Sequence, residues 1–323
     1  MNSRERVSGR GTRSGEGGET LYCVGNLTID QVMRNGIDSG WAMGGDAAYA
    51  ALAARLLLDD VRMLAPVGHD LPSSLLGELS AAGVRTGDLP RRDLPTVRNI
   101  IHYADDGSRK WDMQCSEAEF DRLSVYPVDV PADALDADGI VLLAMSLSAQ
   151  LALTPWLRAH ATGQLYLDVQ EDYLQGNRDA LFRMISCCDV FLPSEIEAVT
   201  LTGQADLAKA AETFRALGPR TVVITLAERG VLLLTDDAPA AEIGVGRIDA
   251  VDSTGAGDAF AGAFAAVHVV TGNCVAAIDA GAHAARIAIG SPGISGLLSA
   301  ATDGGAPHTA AARRTTREQG ASR

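Results

Sequence analysis

The chain of 323 residues carries 27 Lys and Arg against 41 Asp and Glu, a formal charge of −14, with 47% apolar and 21% charged residues. Its length allows one large domain or two modest ones, and its composition excludes disordered and fibrous classes. The negative surface argues against nucleic acid or an anionic membrane as partner, so an anionic substrate must be held locally by N–H groups, a metal or a few placed cations.

In chain order, Met1–Thr20 is Gly, Ser, Arg and Glu without apolar periodicity. It is expected to be a mobile tail, and no apolar core follows its arginines as a signal peptide would require. A buried strand is expected at Leu21–Val24, a helix from about Asp46 to Leu58, a strand at Val61–Val67 and a helix at Leu71–Ala82. Further strands are expected near Gly139–Leu143, Leu165–Asp168, Val190–Leu192, Val222–Leu226 and Val231–Leu234. Helices such as Ser148–His160, Asn177–Ser186 and Asp206–Leu217 lie between them. The Ala-, Thr-, Arg- and Gly-rich stretch from about Ala301 to Arg323 reads as a second tail, leaving a folded domain over about 21–300. Apolar strands alternating with helices predict a parallel sheet covered on both faces, with ligands at its C-terminal edge.

Two stretches break this rhythm. Thr28–Gly36 and Thr96–Met113 read as strands, and Asp105-Asp106-Gly107-Ser108 supplies a hairpin turn in the second. They are expected to pair into a small accessory sheet. The five cysteines, Cys23, Cys115, Cys187, Cys188 and Cys274, form no C-x-x-C pair and are odd in number, as expected of reduced thiols in the cytoplasm. No apolar run reaches the ~18 residues of a membrane span.

The strongest chemical signal is Asp252-Ser253-Thr254-Gly255-Ala256-Gly257-Asp258, leading into the apolar helix that starts Ala259-Phe260-Ala261. Small residues let the backbone come close to a ligand, and a helix N-terminus offers unpaired N–H groups to an anion. A carboxylate beside that cradle suits phosphoryl transfer to a hydroxyl: the cradle stabilises the moving group and the carboxylate takes the proton. The plainer alternative is a glycine-bearing turn whose Asp only caps a helix. Competing motifs fail. Neither Lys110 nor Lys209 follows a glycine as a Walker loop needs, G-x-G-x-x-G is not met, and no H-E-x-x-H or G-x-S-x-G occurs.

With these residues in view, the chain resembles the ribokinase-like (PfkB) carbohydrate kinases. Asp252–Asp258 is similar to the family's C-terminal signature, Gly25-Asn26-Leu27-Thr28-Ile29-Asp30 to its first strand and substrate aspartate, and Gly44-Gly45-Asp46 to its di-glycine helix start. Gly68-His69-Asp70, Gly77 and Gly83-Val84 agree in order and spacing. The resemblance implies a three-layer α/β/α domain with a mostly parallel central sheet and a small β-sheet lid, its segments at about 28–43 and 95–115. It implies transfer of the ATP γ-phosphate, with Mg²⁺ and in some members a monovalent cation, to a hydroxyl of a sugar or sugar-like metabolite. Nucleosides are the alternative acceptors, and a homodimer through the lid is a further implication. Carried over, Asp258 is the catalytic base and Gly255, Ala256 and Gly257 form the anion hole. Asp30, Gly44, Gly45 and Asp46 bind substrate; Ser194, Thr225, Ala227, Gly230 and Asp252 serve the nucleotide; Glu197 serves the metal.

This sequence departs from the pattern in four places. Ser194 replaces the Asn of N-x-x-E, Ala227 replaces the middle Gly of T-x-G-x-x-G, and Tyr49 stands where many members have Asn. The D-x-N-x-R run reads Asp168-Val169-Gln170-Glu171-Asp172, losing an Arg and gaining acids, which disfavours a phosphorylated or carboxylated substrate. Ser194 and Ala227 also motivate a reading of another class, a catalytically silent ligand-binding or regulatory protein on the same fold.

Overall fold

The computed structural model describes residues 18–34, 37–87, 89–103, 109–245 and 252–303. Most of both expected tails and the expected turn at 105–108 lie outside the described residues. The strands are β1 (Thr20–Val24), β2 (Thr28–Arg34), β3 (Ile37–Gly44), β4 (Asp60–Leu64), β5 (Val67–Gly68), β6 (Arg91–Arg92), β7 (Arg98–Tyr103) and β8 (Arg109–Met113). They continue with β9 (Gly139–Leu142), β10 (Gln164–Leu167), β11 (Val190–Phe191), β12 (Thr221–Thr225), β13 (Val231–Thr235) and β14 (Ala241–Ile243). The helices are α1 (Asp46–Arg55), α2 (Ser73–Ala81), α3 (Glu117–Arg122), α4 (Leu147–His160), α5 (Arg178–Ile185), α6 (Glu195–Thr202), α7 (Leu207–Leu217), α8 (Ala256–Thr271), α9 (Cys274–Ile289) and α10 (Ser295–Asp303).

Eight strands form the main sheet in the order β14-β13-β12-β11-β10-β9-β1-β4. Pairing is parallel from β4 to β12. β13 and β14 close the far edge antiparallel, because the short connection between β12 and β13 cannot carry a crossover helix. Side chains alternate across the sheet: Leu21 and Cys23 of β1 enter one core, with α1, α8 and α9, while Tyr22 and Val24 enter the other, with α4, α5 and α7. This double coverage is the three-layer α/β/α architecture. The tail boundaries are tighter than the sequence suggested, with β1 beginning at Thr20 and α10 continuing to Asp303.

The interrupting segments form a second sheet of four strands, ordered β3-β2-β7-β8. β2 pairs antiparallel with β3 and parallel with β7, and β7 pairs antiparallel with β8. Because β3 runs directly into α1, this lid is anchored where the main sheet changes direction: β1 has β4 on one side and β9 on the other. Ligand crevices in open α/β sheets lie at such a switch point.

α1 is buried almost all round, Ala47 to Ala54 being enclosed, and lies against α8. Its small side chains permit that approach. At Gly262 of α8 a methyl group would overlap the carbonyl oxygen of Ala50. The seam places the N-termini of α1 and α8, with Asp46 and Asp258, on the same side of the molecule, where each charge acts on the other.

Candidate active site

Gly255 ends the approach to α8 in a left-handed conformation, φ +73, and a side chain there would overlap the ring of Tyr49. The first helical hydrogen bond is Ala259 N–H to Gly255 O, at 2.9 Å, so the N–H groups of Ala256 and Gly257 have no carbonyl ahead of them in the helix. Gly257 is open to solvent, and Asp258 is half-buried in the first turn. Beneath the turn, Asp252 is 5% exposed. It accepts hydrogen bonds from the Tyr103 hydroxyl, from Thr254 N–H at 2.9 Å and from Gly293 N–H at 3.3 Å. Burial opposes ionisation of Asp252, but these bonds outweigh it and hold the carboxyl below its usual range. Asp252, expected on the nucleotide side, therefore supports the loop from below.

On the lid side, Asp30 of β2 accepts from Asn99 Nδ2 at 2.9 Å, and burial pushes its carboxyl up to about 6. Gly44 lies under this carboxylate. Asp46, the first residue of α1, accepts from Asn26 N–H at 2.8 Å and from Ala47 N–H at 3.2 Å. Tyr49 is 2% exposed; burial, followed by the charges of Asp252, Asp30 and Asp258, keeps its phenol protonated. The aromatic at the family's Asn position thus packs beneath the anion turn, between the two carboxylates expected to meet the substrate.

Ser194 caps α6 through a reciprocal pair: its hydroxyl accepts from Glu197 N–H at 3.2 Å, and its N–H donates to Glu197 Oε2 at 2.7 Å. Burial nevertheless pushes Glu197 up to about 7, against those bonds, with repulsion from Glu171 and Asp258 adding to it. Asp168, at the end of β10, is raised well above the usual range by burial, then by Glu197 and Asp258. Burial, then Asp258, does the same to Asp46. Asp168, Ser194, Glu197, Thr225 and Gly257 line a small cavity of about 110 Å³, roomy enough for a few waters.

Beside it opens a cavity of about 540 Å³. Ser194, Thr225, Ala227 and Gly230 line one wall, and Ser253, Ala256 and Gly257 lie at the anion turn. Ala282, Ala285, Arg286 and Ile289 present one face of α9, and Arg286 is the single cation among the described lining residues. Ala227 has φ +51, a left-handed backbone that a glycine would adopt without strain.

The family model for pfkB family carbohydrate kinases matches residues 20–301. The chain belongs to that family. A cytidine kinase of Thermococcus kodakarensis is 30% identical over 254 residues, covering 76% of this chain and 87% of its own. A deoxyribokinase of Salmonella typhimurium is 27% identical over 242 residues, covering 73% and 77%. Among solved structures, a ribokinase from Thermotoga maritima shares the fold with a TM-score of 0.68 at 23% identity, covering 88% of this chain and 97% of that one. This carbohydrate kinase is accordingly a phosphotransferase that moves the ATP γ-phosphate to a hydroxyl of a sugar or nucleoside.

The structure gathers Asp30, Gly44 and Gly45 at the lid, Gly255–Asp258 at the centre, and Ser194, Thr225, Ala227 and Gly230 around the large cavity. Asn99, Asp168 and Arg286 join the site without having been expected there from sequence. Asp168 alone carried a signal, as the first residue of the D-x-N-x-R-like run. No helix among the described residues is long and apolar enough to cross a membrane.

Proposed function

We propose that the kinase phosphorylates a hydroxyl of a pentose, free or within a nucleoside. Asp30 binds the sugar, the N-terminus of α8 holds the γ-phosphoryl group, and Asp258 receives the proton. The observation carrying this reading is that Ala256 and Gly257, the first two residues of α8, line the 540 Å³ cavity, and that Asp258 follows them in the first turn, where its charge and that of Asp30 both act on Tyr49. An Asp oxygen pair can accept from two neighbouring hydroxyls, which suits a vicinal diol or a deoxypentose hydroxyl. The relatives named for cytidine and for a deoxypentose support this acceptor class.

The large cavity suits the base and ribose of ATP, with its apolar walls against the base and Arg286 as the single cation among its described lining residues. Among the described residues, no three His, Cys, Asp or Glu side chains are placed to hold a metal by themselves. The repulsion among Asp168 and Glu197, which line the cavity of a few waters, and Asp258 beside it fits a hydrated Mg²⁺ held through water and phosphate oxygens. Bound there, Mg²⁺ would neutralise charge developing on the phosphoryl oxygens. Asp258 then only has to orient the hydroxyl and accept its proton as the bond to phosphorus forms.

The silent-binder reading rested on Ser194 and Ala227. Ser194 caps α6 as Asn would, and Ala227 takes up the backbone of the glycine it replaces, so neither argues against catalysis. The proposal extends to a cytoplasmic enzyme, in keeping with five free cysteines, that pairs through the lid, where Trp41, Trp111 and Met113 are exposed. Ribose, 2-deoxyribose, cytidine and adenosine, each assayed with ATP and Mg²⁺, test the reading. Turnover of at least one is expected, with Asp258→Asn slower by about 10²–10⁴-fold and binding of an ATP analogue retained. Absence of turnover with ligand binding intact would instead establish the silent binder.

A further inference from the structure

The lid strand β7 touches both ends of the site. Its burial alternates, so Asn99, Ile101 and Tyr103 face inward together. Asn99 holds the Asp30 carboxylate at 2.9 Å. Four residues along, about 13 Å at ordinary strand rise, the Tyr103 hydroxyl donates to Asp252 and lies 3.2 Å from the Thr254 hydroxyl. Tyr103 is 8% exposed, and the pair bridges 149 positions of sequence. Asp252 in turn accepts the N–H of Thr254, immediately before Gly255. One rigid strand therefore joins the carboxylate expected to hold the acceptor to the carboxylate that shapes the anion turn.

We infer that Tyr103 is a positioning residue that couples lid closure over the acceptor to the ordering of the anion turn at Ser253–Gly257. The inference rests on the reading of Asp30 as the acceptor carboxylate and deepens it. When the lid closes, carrying Asp30 on β2 beside β7, Tyr103 reaches Asp252 and the N–H groups of the turn are held for the phosphoryl group. When the lid lifts, Asp252 loses its strongest single donor and the turn loosens, so that phosphoryl transfer to water is disfavoured while no acceptor is present. Coupling of this kind is reciprocal, so a nucleotide seated at the turn favours the closed lid and tighter acceptor binding.

Amide hydrogen exchange of the full chain tests this without needing turnover. In Tyr103→Phe, exchange in the peptide spanning 252–257 is expected to rise by about tenfold, the worth of a hydrogen bond to a charged group, while peptides from β9 and β10 stay unchanged. Asn99→Ala, which removes only the cross-strand bond to Asp30 within the lid and keeps Tyr103, is expected to leave exchange in that peptide within about twofold of wild type. Unchanged exchange at 252–257 in folded Tyr103→Phe, or an equal rise in Asn99→Ala, overturns the inference, whatever the acceptor proves to be. With whichever of cytidine, ribose or 2-deoxyribose is turned over, Tyr103→Phe is further expected to lower kcat by about tenfold and to leave acceptor binding in the absence of nucleotide within about twofold. The reverse split would make Tyr103 a substrate contact and overturn its positioning role.

Discussion

Gly44 lies directly beneath Asp30: a methyl group at position 44 would fall inside the Asp30 carboxylate. The first glycine of the pair thus leaves room for the aspartate proposed to bind the acceptor. Gly44→Ala is expected to displace Asp30 and lower kcat/KM for the acceptor by about 10- to 100-fold, the cost of misplacing a charged hydrogen-bonding group. The KM for ATP is expected to change little. Steady-state kinetics with each substrate varied in turn separates the two, and an equal effect on both would show a general collapse of the site.

The raised carboxyl of Asp30 carries a pH signature. Its folded-state value of about 6 lies above the ordinary 3.8, so its contribution to stability is fully present below about pH 4 and is lost as pH rises through about 6. Asp30→Asn, which still accepts from Asn99, is therefore expected to be more stable than the wild type by about 1–3 kcal/mol at pH 8 and no more stable at pH 4. Urea unfolding at the two pH values checks this. Activity runs the opposite way, because the ionised form is the hydroxyl acceptor, and wild-type kcat/KM for the acceptor is expected to fall below about pH 6.

Ala227 is the one non-glycine residue with positive φ among the described residues. An alanine in the left-handed region is strained by about 1–2 kcal/mol, partly offset by the entropy a glycine would lose on folding. Ala227→Gly is expected to stabilise the kinase by about 1 kcal/mol, read as a higher urea midpoint at unchanged slope. A β-branched replacement, Ala227→Val, is expected to destabilise it and to raise the KM for ATP.

Ser194 and Glu197 cap α6 reciprocally, so Ser194→Ala is expected to cost about 1 kcal/mol. Ser194→Asn, which restores the residue usual in the family, is expected to hold stability within about 0.5 kcal/mol of wild type. Thermal unfolding of the two variants distinguishes a capping role from a role confined to the nucleotide, which would leave both melting temperatures unmoved.

Local patterns in the sequence carried the layers well. Leu21–Val24, Gly139–Leu143 and Leu165–Asp168 are apolar because both sheet faces are covered, and that shows without coordinates. The cap of α6 was equally legible, since Ser194-x-x-Glu197 is a capping-box spacing as well as a variant of a family motif. What stayed hidden is long-range pairing. Nothing near Tyr103 announces Asp252, which it meets only because the lid folds over the main sheet, and nothing near Asn99 announces Asp30, which it meets only because β7 pairs with β2. The antiparallel edge was overlooked although the distance from Thr225 to Val231 is too short for a helix. Asp168 looked like one more acid in an acidic run until burial set it against Glu197 and Asp258.

The contact between Gly262 and the Ala50 carbonyl sets a gauge for the whole reaction. α1 bears the carboxylate of Asp46 and follows the lid, whereas α8 bears the proposed phosphoryl cradle, so on that proposal the spacing between the two reacting molecules rests on a helix contact well below the crevice, at a position that tolerates only hydrogen. Acceptor preference can drift through the lid and the rim of the crevice, where side chains are free to change. Substitution at 262 would widen the spacing itself, for every substrate alike.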